Sequence, residues 1–150
     1  MNDVNVTRTF EAPRDLVFDA FTDPRHLAQW WGPHHFTNPR CEFDARAGGA
    51  IHIDMRGPDG TVYPMEGEVK EVLRPERLVF TTTPLDDKGN ALFEVLITAT
   101  FAERGGKTTV SVNAHVVRIE AAVAEQMLAG MQEGWTQSLE RLEQYVRRTG

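Results

Sequence analysis

Between Phe36 and Val116 apolar residues recur at every second position, and from Glu120 to Arg148 the period changes to threes and fours with no proline to interrupt it. This switch constrains the fold more tightly than any other feature. A period of two sends alternate side chains to opposite faces of a strand, whereas a period near 3.6 lines them along one stripe of a helix. The alternating part holds Cys41 and Phe43; Ile51, Ile53 and Met55; Tyr63, Met65, Gly67 and Val69; Leu78, Phe80 and Thr82; Phe93, Val95, Ile97, Ala99 and Phe101; and Val110, Val112, Ala114 and Val116. Between them lie turn signals: Ala47-Gly48-Gly49, Gly57-Pro58-Asp59-Gly60, Arg74-Pro75-Glu76, the polar loop Pro84 to Asn90, and Gly105-Gly106. The phase slips at Val72, which predicts a bulge. Six neighbouring strands on short turns predict an antiparallel meander with one apolar face that must be covered.

The cover is the C-terminal segment. Val123, Met127, Met131, Trp135, Leu139, Leu142 and Val146 form its apolar stripe, widened by Ala124, Leu128, Ser138 and Tyr145. Glu125, Gln126, Gln132, Glu133, Gln137, Glu140, Arg141 and Gln144 form its polar side. At the other end, Val4, Val6 and Thr7 to Phe10 predict a first strand able to join a sheet edge. Ala12-Pro13 closes that strand, and Leu16, Val17, Ala20 and Phe21 mark a short helix. Asp23 is placed to cap a second short helix running to Trp30-Trp31, which Gly32-Pro33 stops. The predicted class is α+β: a curved six- to seven-stranded antiparallel sheet packed on a long C-terminal helix, with two short helices after the first strand. Residues 1–150 read as one domain, and that length is enough to bury a sizeable core.

Charge and cysteine usage narrow the function classes. The net charge of −6 and the lack of a basic run argue against nucleic acid and anionic membranes as partners. No basic segment leads into an apolar one, and no stretch approaches the ~20 apolar residues that cross a bilayer, so a cytoplasmic protein is expected. Cys41 is the sole cysteine. It cannot form an internal disulfide, and it reads as a small strand residue rather than a nucleophile.

A straight helix cannot follow a strongly curved sheet along its whole length, so a gap is expected between them. Gly130 and Gly134 stand on one side of the helix and remove volume there, and Gly67 interrupts a strand. Close helix–sheet packing or a bend would explain the same glycines. Candidate ligand-lining residues are Trp30, Trp31, Phe36, Ile53, Met55, Met65, Gly67, Phe80, Val95, Ile97, Met127, Met131 and Trp135. Methionine adapts to irregular shapes and suits a tolerant apolar site, although the same residues can simply fill a core. Adjacent Trp30 and Trp31 cannot point the same way. One should anchor the helix in the core, and the other can sit at the mouth of the gap. If Gly32 is a hinge, the segment is a mobile lid; otherwise it is a plug.

Catalytic signals are weak. His34 and His35 are adjacent and lack a supporting His or Cys pair, so no metal is expected. His52 and Asp54 share one strand face, opposite Ile53, and are expected to face solvent. Glu66 and Glu68 read as the solvated side of a strand, and His26 and His115 as surface or rim residues. No phosphate loop, nucleophile elbow or Cys-x-x-Cys is present, so neither catalytic residues nor a cofactor is assigned.

Several segments in order carry a family resemblance. They are Thr9-Phe10-Glu11-Ala12-Pro13, Val17-Phe18-Asp19-Ala20-Phe21-Thr22-Asp23-Pro24, Leu27-Ala28-Gln29-Trp30-Trp31-Gly32-Pro33, Asp44-Ala45-Arg46-Ala47-Gly48-Gly49, Pro75-Glu76-Arg77-Leu78-Val79-Phe80-Thr81, and Gly134-Trp135-Thr136-Gln137-Ser138-Leu139-Glu140-Arg141-Leu142. Together they resemble the activator-of-Hsp-ATPase-like family within the START-related, Bet-v-1-like helix-grip superfamily (SRPBCC). The resemblance implies a β-α-α-six β-α order with a hydrophobic cavity under the long helix. Relatives bind lipids, hormones, polyketides or other apolar molecules, and some are cyclases or other enzymes. The family name comes from a eukaryotic co-chaperone, which implies a stress-response setting; a single domain is expected here, without that protein's additional N-terminal domain. The superfamily has no universal catalytic motif, so fold does not settle function. Three readings stand: a binder of a small apolar molecule, an enzyme (cyclase- or hydrolase-like) on an apolar substrate, and an interaction module with a chaperone as possible partner.

Overall fold

The structure is a computed structural model. It describes the backbone of residues 3–86, 88–117 and 121–149, and their side chains except those of 121–127 and 149.

The chain runs β1 (Asp3–Phe10), α1 (Arg14–Thr22), α2 (Pro24–Leu27), β2 (Thr37–Phe43), β3 (Ala50–Arg56), β4 (Val62–Leu73), β5 (Arg77–Pro84), β6 (Val95–Arg104), β7 (Lys107–Val116) and α3 (Ala121–Thr149). The seven strands form one curled antiparallel sheet in the order β1-β7-β6-β5-β4-β3-β2. β1 joins it beside β7, and the others form the meander that their turn signals predict. The bulge lies between Val69 and Glu71, just before the slip in the apolar phase. β2 is the other edge strand; it carries Pro39 and a register shift between Thr37 and Arg40. Phe93 lies outside β6, which begins at Val95, and packs partly buried against the core instead.

Local chemistry sets the helix ends. Pro13 precedes α1 without a side-chain cap, and the Glu103 carboxylate accepts the Arg14 N–H (2.6 Å) in its place. Asp23 caps α2 as expected, its side chain accepting the Arg25 N–H at 2.9 Å. The Arg25 side chain also bonds this carboxyl and holds its pKa down at about 2. α2 is shorter than predicted. It ends at Leu27, and turns with Gln29 bonded to His26 and Trp30 to Leu27 carry the chain to Trp31. These turns drop Trp30 into the core, where its indole N–H donates to the Ala20 carbonyl (2.9 Å) and its ring packs on Phe21. Phe18, Phe21 and Phe101 meet edge to face beside it.

α3 spans 29 residues, about 43 Å at the usual rise. Beside β1 it is tied by Arg8 to Glu143. Among the described residues, no helix is long and apolar enough to cross a membrane.

Candidate functional site: an apolar cleft under the long helix

The grip of α3 on the sheet is uneven. Trp135, Ser138, Leu139, Leu142 and Val146 are buried, at the four-, three- and four-residue steps of one helix face. One and two turns earlier on that face, Leu128, Met131 and Gly134 are only half-buried. Where the helix stands off, a cleft of about 200 Å³ opens, lined by Trp31, Gly32, Pro33, Met55, Met65, Met131, Gly134, Trp135 and Ser138. A Cβ added at Gly134 would meet nothing within 4 Å, so this glycine leaves real space. Gly130 is exposed and does not line the cleft.

Five of the residues expected in a site come together here: Trp31, Met55, Met65, Met131 and Trp135. Trp31 and Trp135 meet edge to face, with centroids 5.3 Å apart. The other candidates lie elsewhere. Trp30, Ile53, Phe80, Val95 and Ile97 fill the core, each at most 3% exposed. Alternation assigns such residues to the inner face but not to the part of it that the helix leaves uncovered. Phe36 packs against Tyr63 (6.0 Å) outside the cleft. Gly67 makes no space for a ligand: a methyl group there would collide with the Thr81 carbonyl, so the residue allows close strand approach. The Met127 side chain lies outside the described residues.

The rim of the cleft is the segment after α2. A mobile lid hinged at Gly32 is not what the side chains build. Gly32 has φ +95°, and the Met55 sulfur lies 3.1 Å from where a Cβ would stand. The Gly32 N–H donates to Ser138 Oγ (3.1 Å), and the His34 N–H to Gln137 Oε1 (3.1 Å). The His34 ring meets Glu140 at 3.0 Å. Arg141 donates to the carbonyls of Trp31, Gly32 and Pro33 at 2.9–3.0 Å and of Gln29 at 3.2 Å. Four residues within two turns of α3 therefore fasten the segment. Burial pushes the Arg141 pKa down.

The titratable groups set aside by the sequence sit outside the cleft. The His34 and His35 rings lie with centroids 6.3 Å apart, and His35 is exposed at φ 73°. His52 and Asp54 bond at 3.0 Å and are half-buried rather than solvent-facing, because Glu42 and Glu66 flank His52 in register on both sides. His26 bonds the Tyr145 hydroxyl (2.5 Å), and His115 bonds Asp3 (2.6 Å). Among the described residues no three potential ligands gather as a metal site. Burial pushes the Cys41 thiol up to about 11, aided by the neighbouring Glu42 charge, so it stays protonated and unreactive at neutral pH.

Sequence reasoning missed Gly32, Pro33 and Ser138 as lining residues. Ser138 belonged visibly to the apolar stripe, but its partner is 106 residues away. Among the described residues, no carboxylate, amine or imidazole lines the cleft. Its described side chains supply shape, sulfur and aromatic surface, together with Ser138.

Solved structures share this architecture. Protein CV1439 from Chromobacterium violaceum is 29% identical, with a TM-score of 0.81 over 95% of this chain and 94% of its own. Protein Ms6760 from Mycobacterium smegmatis is 27% identical, with a TM-score of 0.81 over 95% of this chain and 88% of its own. The AHSA1 protein from Silicibacter pomeroyi is 25% identical, with a TM-score of 0.86 over 99% of each chain. Comparison with curated protein sequences gave no match. The family described as activator of Hsp90 ATPase homolog 1-like protein matches residues 11–147, and the chain belongs to that family.

Proposed function

We propose that the cleft under α3 binds a small, largely apolar molecule. The observation that carries this reading is the open space over Gly134, walled by three methionines and two tryptophans. The cleft opens to solvent, so an apolar ligand there would take apolar lining out of water, which is favourable. Its volume of about 200 Å³ lies below the range of roughly 300–1,000 Å³ for drug-sized ligands, which favours a compact ligand of one or two rings. The Ser138 oxygen is engaged by Gly32, which leaves the hydroxyl proton to meet a single carbonyl or ether oxygen on the ligand.

Naphthalene and 2-acetylnaphthalene are suitable probes, followed by NMR of methyl-labelled methionine. Saturable shifts of the Met55, Met65 and Met131 methyls are expected, with tighter binding of the ketone. Gly134→Leu should abolish them while leaving the circular dichroism unchanged. Absence of saturable shifts, or binding untouched by Gly134→Leu, would refute the reading.

A further inference from the structure

A second cleft lies behind the rim, away from the apolar one. It has a volume of about 380 Å³ and is lined by Ala28, Gln29, Thr37, Asn38, Pro39, Arg56 and Arg141. We infer that it is a site for a small oxyanion carrying a hydroxyl, of the hydrogen phosphate class, held between Arg56 and Arg141 with Asn38 as acceptor.

The charge pattern points there. The chain has a net charge of −6. Seven arginines, Arg8, Arg25, Arg40, Arg46, Arg74, Arg77 and Arg147, sit against carboxylates. Arg56 and Arg141, like Arg14, Arg104 and Arg148, have no carboxylate within ion-pair reach among the described residues, but these two line one cleft whose described lining holds no acidic side chain. Arg141 is half-buried, and its hydrogen bonds go to carbonyl dipoles that leave its charge unneutralised. Arg56 is exposed and has its fork available. An oxyanion between two guanidiniums gains charge-assisted bonds and relieves the uncompensated charge.

Asn38 narrows the class. Its Nδ2 donates to the carbonyls of Ala28 and Trp31, both at 2.9 Å, which fixes the amide orientation. Its Oδ1 is then a buried acceptor without a donor. A carboxylate or sulfate would satisfy the arginines and leave that acceptor bare. Hydrogen phosphate, free or as a monoester, brings both oxygens and a proton. The main chain from Trp31 to Pro33, held by Arg141, separates this cleft from the apolar one, so the inference stands apart from the proposed function.

The test is a titration of the full chain at about pH 5, below the second ionisation near 6 at which a phosphate monoester loses its hydroxyl. Inorganic phosphate, phenyl phosphate and sulfate are compared through the Arg56 and Arg141 side-chain N–H signals. Saturable shifts with phosphate, about tenfold weaker with sulfate and about tenfold weaker in Arg56→Ala, are expected from the loss of one charge-assisted contact. Tighter phenyl phosphate assigns the site to a monoester, and tighter inorganic phosphate assigns it to the free ion. No saturable shift, binding indifferent to Arg56→Ala, or sulfate as tight as phosphate would overturn the inference.

Discussion

The two ends of α3 follow the same apolar stripe and meet different fates. From Trp135 onward the stripe is buried and its polar neighbours fasten the rim segment. At Leu128 and Met131 the stripe is half-covered, and Gly134 faces open space. Periodicity therefore reports which face a residue belongs to, but not how closely the opposing layer approaches. One end of the helix acts as an anchor and the other as a wall held at a distance.

The largest effect should come from breaking the anchor. Leu142→Ala, at a fully buried position, is expected to cost about 2–5 kcal/mol in denaturant unfolding, whereas Leu128→Ala should cost under about 1 kcal/mol. Equal losses would erase the contrast. Next comes the fastening of the rim. Arg141→Ala is expected to cost about 2 kcal/mol and to speed amide exchange at Gly32 and His34, with Leu128 unchanged as a control. Exchange left unchanged would mean that the rim is firm without its clamp.

A gain is predicted at the wall. Gly134→Ala should raise stability by roughly 1 kcal/mol, because helix propensity improves and the added methyl meets nothing. A loss at that position would show that the helix closes further than the cleft suggests. The smallest effect concerns α2, which carries the rim. Asp23→Ala should cost about 0.5–1 kcal/mol through the lost cap. The folded carboxyl lies below its ordinary value, so this contribution is complete above the ordinary 3.8 and fades as pH falls through about 2. A difference that persisted unchanged in stronger acid would assign it to packing instead.

Most of the architecture was legible because strands and helix write different periods. Ile51, Ile53 and Met65 face inward as their alternation requires, and Asp23 caps as its position requires. Trp30 and Trp31 divide as adjacent helical residues must, one into the core and one to the cleft. The site was only partly legible. Ile53 and Met55 share one face and one strand, yet only Met55 reaches the uncovered region. Arg141 read as part of a polar helix face, and only folding brings it to carbonyls more than 100 residues away. The half-burial of His52 likewise depends on neighbours from two other strands.

The border strand β2 carries a further consequence. An open sheet of seven strands ends in unpaired peptide groups, which invite another chain to dock and extend the ladder. Pro39 removes one of the donors such docking needs, the shift between Thr37 and Arg40 breaks the regular spacing, and the Arg40–Glu42 pair places charge along the border. Replacing Pro39 with a β-branched residue would restore a continuous template there, and self-association into aggregates would be the price of the straighter strand.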